Sequence, residues 1–320
     1  LKPILAGRNA SQIIELASEL GLTHRIFSAD TPDLSGVVVV LNCAGPFSTT
    51  ARPMMAAAIA ARVHYLDITG EIDVFEYAST LDAAARNANI VLCPGVGFDV
   101  IPTDCLALAL KQALSDASSL CLGFESHSLK SPGTAKTTIE GIGTGTKIRR
   151  GGKLRSEPIG LRARTIDFGK GSRLAAAFPW GDVSTAFKTT GIPSITVYVA
   201  VTRGFRLAML ASNLLAPLLR LPAIRNRMLA NAGAAIGPDA AARQNAPTYL
   251  WGEVRNPSGQ IRTARIRTAN GYEVTVHGAL AVLRHIMGRP NCEPGFVTPA
   301  LLCGATLIEQ LPGSGNITFA

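Results

Sequence analysis

At 320 residues with 47% apolar side chains, the chain is long enough for two cores and too apolar to be disordered. A formal charge of +9 suits an acidic partner such as a phosphorylated cofactor, an acyl carrier or an anionic membrane. Aromatic residues make up only 6% and do not interleave with basic ones, which argues against sequence-specific nucleic-acid binding.

The six cysteines show no CxxC pair, and no metal-ligand spacing or Ser/His/Asp set stands out, so hydrolase and metalloenzyme readings lack support. Cys43, Cys93 and Cys121 lie in apolar runs and read as buried structural thiols. Unpaired cysteines and the lack of a secretory leader point to the cytoplasm.

In chain order, Ile4–Ala6 reads as the end of a strand and is followed by Gly7-Arg8-Asn9. Ala10–Leu20 is a helix with Ile13, Ile14, Ala17 and Leu20 on one face and Gly21 at its C′ position. His24–Phe27 is a short strand, and Val37–Leu41 is an unbroken apolar run suited to a central parallel strand. A helix over Thr49–Ala61, a strand over Val63–Ile68, a helix over Ile72–Ala88 and a strand over Ile90–Cys93 follow. Thr103 or Asp104 is expected to cap a helix over Cys105–Leu114. This alternation predicts an α/β fold, a Rossmann-like doubly wound parallel sheet over residues 1–118.

From about Ser119 strands take over: Leu120–Phe124, Leu174–Phe178, Ile195–Val201, Ile261–Thr268 and Tyr272–Val276, with turns at Asn256–Gln260 and Ala269–Glu273. The Gly/Thr/Lys-rich stretch Pro132–Gly152 is expected to hold one short helix, and Gly278–Met287 another. A second, α+β domain for substrate binding and dimerisation is therefore expected over 119–290, with 291–320 returning to the first domain. Phe205–Met228 is the odd segment. Leu207–Leu219 is almost wholly apolar, and between Val183 and Pro238 there are six Lys/Arg and no acid. Three readings are open: a buried hairpin or homodimer contact, a helix on a membrane surface, and a span, for which it is short.

Parallel sheets of this kind bind ligands at the carboxyl ends of their strands. Arg8, with Asn9 beside it, stands where NAD enzymes usually place an acid. A guanidinium there can grip a 2′-phosphate, which favours NADP; the alternative is a solvated loop arginine. The small residues of Asn42-Cys43-Ala44-Gly45-Pro46 would let a flat cofactor approach, although an ordinary βα turn reads the same. Asp67 and Thr69 suit either a helix cap or a ligand contact. Pro94–Asp104, with Gly95 and Asp99, is a sharply shaped loop where the chain leaves the sheet.

Together "LAGRN", "VLNCAGPF", "HYLDITGE" and "PGVGFDVIPTDCLA" resemble the saccharopine dehydrogenase-like family, in particular the bacterial branch that includes trans-acting enoyl reductases. "GTAKTTIEG", "FPWGDVSTAF", "TGIP" and "LWGEVRNPSG" extend the likeness over almost the whole chain. The resemblance implies NADPH-dependent hydride transfer to an electrophilic carbon of a lipid-like or acyl substrate. With an enoyl thioester, a proton donor is then required. Tyr65, Asp99 and Lys136 are the candidates. Asp99 is the best placed, Tyr65 suits core packing, and His64 and His127 read as structural.

The resemblance also implies a glycine-rich strand, loop and helix of roughly 30 residues ahead of "LAGRN". Their absence suggests a fragment or a misplaced start, with a genuine deletion as the alternative, and leaves the sheet without its first, middle strand and with open edges. The basic stretch Lys147–Arg173 could guide an acyl-carrier-bound substrate or simply be a solvated face. A second reading of function is a lipid- or membrane-associated binding protein that keeps the fold without turnover.

Overall fold

Short apolar runs alternating with helices build the first third of the chain. The computed structural model describes residues 2–126, 145–216, 246–289 and 292–320, with Leu221, Ile224 and Arg227 between them. The order is β1 (Ile4–Gly7), α1 (Ala10–Leu20), β2 (Thr23–Ile26), β3 (Val39–Asn42), α2 (Phe47–Ala61), β4 (His64–Asp67), α3 (Ile72–Thr80), α4 (Asp82–Asn87), β5 (Val91–Cys93) and α5 (Ile101–Ala113). β3, β4 and β5 pair in parallel, and β1 pairs in parallel with β2 as a separate two-stranded sheet.

Among the described residues the apolar run predicted as a central strand stands at the edge of its sheet. Val37 and Val40 pack on one core cluster and Val39 and Leu41 on the other, which explains the two-sided apolar pattern. On its outer side, β3 has no hydrogen-bonded strand among the described residues. Ile4, Ile26 and Val38 remain exposed at these open edges.

The rest of the chain supplies β6 (Ser119–Ser126), β7 (Thr146–Arg150), β8 (Lys153–Glu157), β9 (Ala163–Asp167), β10 (Ser172–Ala177), α6 (Asp182–Thr190), β11 (Ser194–Ala200), α7 (Arg203–Leu214), β12 (Thr248–Arg255), β13 (Ile261–Thr268), α8 (Gly271–Gly288), β14 (Gly295–Phe296), α9 (Pro299–Cys303) and β15 (Thr318–Phe319). Nine of these strands form one sheet in the order β15-β13-β12-β6-β11-β10-β9, with β7 and β8 attached beside β11. Only β6–β11 is parallel. β14 joins the first sheet beside β5. The predicted turn at Asn256–Gln260 closes the β12–β13 hairpin, held by the Gln260 N–H donating 2.8 Å to Asn256 Oδ1.

Two predicted elements change. Tyr272–Val276 is not a strand but the first turns of α8. Asn270 caps that helix, its Oδ1 accepting from the N–H groups of Tyr272 and Glu273 at 2.9 and 3.1 Å. α5 starts at Ile101, so Thr103 and Asp104 lie inside its first turn and face inward instead of capping it. The short helix expected within Pro132–Gly152 falls largely on residues 132–144, outside the described ones.

α5 is the keel of the molecule. Its residues Ile101–Ala107 are wholly or almost wholly buried, between the first sheet and the nine-stranded one, in a core shared by Leu66, Val91, Leu122, Leu250 and Ile266. Each large apolar side chain in that core contributes about 1.5–3 kcal/mol. Arg149 locks the two parts further. Buried at 5% exposure, it donates to Glu76 Oε1 on α3 (2.5 Å) and to the Val183 carbonyl (2.6 Å).

Candidate active site

At the carboxyl ends of β3, β4 and β5 the sequence places polar residues directly after apolar strands, and the structure ties them into one buried network. Asp67 Oδ1 accepts from the N–H groups of Thr69 (3.0 Å) and Gly95 (2.8 Å), and its Oδ2 accepts from Tyr65 OH (2.7 Å). Asn42 Nδ2 donates to Tyr65 OH at 3.3 Å, while Asn42 Oδ1 accepts from Ala44 N–H at 3.0 Å. Thr69 Oγ1 accepts from Glu71 N–H (3.1 Å), and Glu71 Oε1 accepts from Phe47 N–H (2.9 Å) at the start of α2. Burial pushes the Asp67 carboxyl up to about 6 and the Tyr65 hydroxyl well above its ordinary range.

These bonds sort the predicted cofactor residues. Asn42, Thr69 and Gly95 are buried and spend their polar groups on shaping the loops. Asn9 caps α1, its Oδ1 accepting from Gln12 N–H at 3.4 Å. Asp67 and Thr69 do not cap α3, which begins at Ile72; they join the loops after β4 and β5. Arg8, Ala44, Gly45 and Pro46 stand exposed and are open to a ligand. Cys43, expected to be buried, is exposed beside them, because it is the first residue past the end of β3. His64 is committed to structure: Val91 N–H donates to its Nδ1 at 2.9 Å, joining β4 to β5. Lys136 and His127 lie outside the described residues.

Asp99 sits in the loop between β5 and α5. It is half-buried, has no hydrogen-bond partner among the described residues, and burial pushes its carboxyl up to about 6. Gly70 lies against it so closely that a Cβ there would come within 2.5 Å of Asp99 Oδ2. Gly181, just before α6, in turn packs on the Gly70 carbonyl. Three loops from both halves of the molecule therefore meet at Asp99. Beside them runs an aromatic row, Phe98–Phe124–Trp180–Phe178, with successive ring centroids 6.0, 4.7 and 6.4 Å apart.

Asp182, at the start of α6, went unnoticed in the sequence, although the Phe-Pro-Trp-Gly-Asp cluster marks the place. It is fully buried, its Oδ1 accepts from Thr103 Oγ1 at 2.7 Å, and its Oδ2 has no hydrogen bond among the described residues. Burial first, then the charges of Asp104 and Asp99, hold its carboxyl well above the usual range. Two concavities of about 360 and 300 Å³ lie elsewhere, one bordered by Arg86, Lys188 and Arg289, the other by Ala109 and Phe319; neither includes Asp99.

Four of the nine cations in the basic stretch Lys147–Arg173 are held in ion pairs. Arg149 pairs with Glu76, Arg162 with Glu157, Arg164 with Glu253 and Arg173 with Glu125. Among the described residues no group of three or more His, Cys, Asp or Glu is placed to hold a metal ion.

A parallel α/β unit joined by one core to a mostly antiparallel sheet has a counterpart among solved structures. Apo saccharopine dehydrogenase (L-Glu forming) from Saccharomyces cerevisiae superposes with a TM-score of 0.62 over 99% of this chain and 94% of that one, at 11% identity. The chain has the saccharopine dehydrogenase fold. In sequence it is 25% identical to a Mycobacterium tuberculosis H37Rv protein named as a trans-acting enoyl reductase, over 97% of this chain and 89% of the relative. The counterpart in strain CDC 1551 matches equally. No family model matches the chain. The motif resemblance and the α/β fold expected from it are borne out at this level.

Proposed function

We propose that the chain is an NADPH-dependent oxidoreductase that reduces an enoyl thioester or a related lipid-like acyl substrate. The observation that carries this is Asp99: a carboxyl raised to about 6, free of hydrogen-bond partners among the described residues, beside an aromatic row in which Phe98, Trp180 and Phe178 are half-exposed around the buried Phe124. The rings suit an acyl chain, and a carboxyl near 6 suits a proton donor working close to neutral pH.

The residues present fit a nicotinamide cofactor. Arg8 is exposed at the end of β1, with no side-chain hydrogen bond or ion pair among the described residues, and its fork suits a 2′-phosphate. Ala44, Gly45 and Pro46 offer a surface of small residues at the end of β3, kept in shape from behind by Asn42. When bound, such a cofactor would supply the hydride that the carbon β to the thioester carbonyl takes up.

The chain supplies the proton. Asp99 gives it to the α carbon, so that the C=C bond becomes a C–C bond carrying one added hydride and one added proton. The open side of Asp99 lets it recover a proton from water. Gly70 keeps the space beside the carboxyl clear of a side chain.

The test is NADPH oxidation by the purified protein with 2-enoyl thioesters of increasing chain length. The proposal expects turnover that rises with chain length and falls roughly 100- to 10,000-fold in Asp99→Asn, the usual contribution of a positioned acid. Full activity in Asp99→Asn would remove Asp99 from the chemistry, and no turnover of any enoyl thioester would remove the substrate class.

A further inference from the structure

α7 is built inside out. Its inward side carries Arg206 and Asn213 beside the buried Met209. Asn213 exchanges two hydrogen bonds with the backbone of Ile159: Ile159 N–H donates to Oδ1 at 3.0 Å, and Nδ2 donates to Ile159 O at 2.9 Å. Arg206 Nε donates to Gly160 O at 3.1 Å. Polar side chains thus moor the helix to the loop at 158–161. At positions i, i+4, i+7 and i+8 the outward side carries Leu207, Ala211, Leu214 and Leu215. Leu207 is 66% exposed, Leu214 85% and Leu215 52%, with Phe205 at the flank.

A helix that turns its polar side chains inward and shows leucines to the outside has its apolar face turned toward something other than water. The hairpin foreseen as one reading of Phe205–Met228 involves residues 217–228, most of which lie outside the described ones. Among the described residues no helix is long and apolar enough to cross a membrane.

Charge decides between the remaining occupants. From Val183 to Pro238 the sequence holds six Lys/Arg and no acid, and both Arg203 and Arg227 are exposed. Two copies of this chain meeting through α7 would bring like charges together with no acid from this stretch to offset them. An anionic lipid surface would meet leucines with acyl chains and arginines with phosphates.

We propose that α7 rests on anionic membranes through Leu207, Leu214 and Leu215, with Arg203 and Arg227 at the headgroups. The contact uses no residue of the candidate active site and stands or falls apart from the reductase reading.

The test is flotation of the full chain with vesicles of phosphatidylcholine alone, or with about one-quarter phosphatidylserine, at low and high salt. The expected result is co-flotation with the serine lipid only, weakened by salt. Leu207→Glu with Leu214→Glu should lower the partition at least about tenfold, and Arg203→Gln with Arg227→Gln roughly tenfold or more. All four sites are solvent-facing, so circular dichroism should be unchanged. Failure of the wild type to float with anionic vesicles at low salt would overturn the proposal. So would flotation unaffected by the leucine changes, or self-association in sedimentation that those changes abolish without any lipid binding.

Discussion

Asp104 offers the sharpest test of how the core is assembled. It is fully buried on α5, where its oxygens accept from Thr189 Oγ1 on α6 and from the Ala300 N–H of α9 at 2.9 Å. Burial nonetheless outweighs these bonds and pushes its carboxyl from 3.8 up to about 6. A raised carboxyl pKa means that the folded state holds its proton more tightly than the unfolded one. Stability therefore falls as pH rises through the window from about 4 to about 6, and the full cost is present above it. Two units at about 1.36 kcal/mol each give about 3 kcal/mol.

Asn mimics the protonated form, so Asp104→Asn should stabilise the protein by about 3 kcal/mol at pH 8 and by almost nothing near pH 4. Scanning calorimetry of both proteins across that range reads it, with about 2 °C in Tm per kcal/mol for a chain of this size. A variant less stable than the wild type at pH 8 would refute the reasoning, because the charged hydrogen bonds would then outweigh the burial cost.

Two further outcomes are expected. Arg8→Ala should weaken NADPH binding roughly 10- to 100-fold and leave NADH nearly unchanged, as one charge-assisted bidentate contact contributes about 1.5–3 kcal/mol; calorimetric titration with both cofactors checks it, and equal losses would make Arg8 structural. With Asp99 as the acid at about 6, kcat/KM should be flat below pH 6 and fall tenfold per unit above it, and Asp99→Asn should lack that limb.

The parts of the fold set by local pattern were legible in the sequence. The βα alternation, the Gly21 cap of α1 and the Asn256–Gln260 turn each follow from neighbours in the chain. What was missed depends on partners far away. Tyr272–Val276 alternates like a strand, yet the Asn270 cap and the packing of Val274 and Ala279 in the shared core make it helical. Asp104 looked like a cap until Ala300, 196 residues on, claimed it.

In the candidate site, the loop carrying Asp99 was visible from its glycines and prolines. Its closure by Gly70 and Gly181, and the buried Asp182, required the two halves to be brought together. For the cofactor loops, sequence identified the right turns but not which residues face out: Asn42 and Thr69 turn inward because Tyr65 and Asp67 need hydrogen-bond partners beneath the surface.

The seat of the cofactor is the central claim, and Cys43 reports on it. It is the exposed cysteine beside Ala44–Pro46, while Cys93 and Cys105 are buried. Although the residue is exposed, partial desolvation of its sulfur by the surrounding loops, then the nearby Asp67 charge, holds its thiol above the ordinary range, so labelling belongs at alkaline pH. Alkylation of the native protein, read site by site by mass spectrometry, should modify Cys43 in the free protein. Saturating NADPH should protect it strongly while leaving the slow labelling of Cys93 and Cys105 unchanged. Labelling of Cys43 at the same rate with and without NADPH would place the cofactor elsewhere and contradict the account.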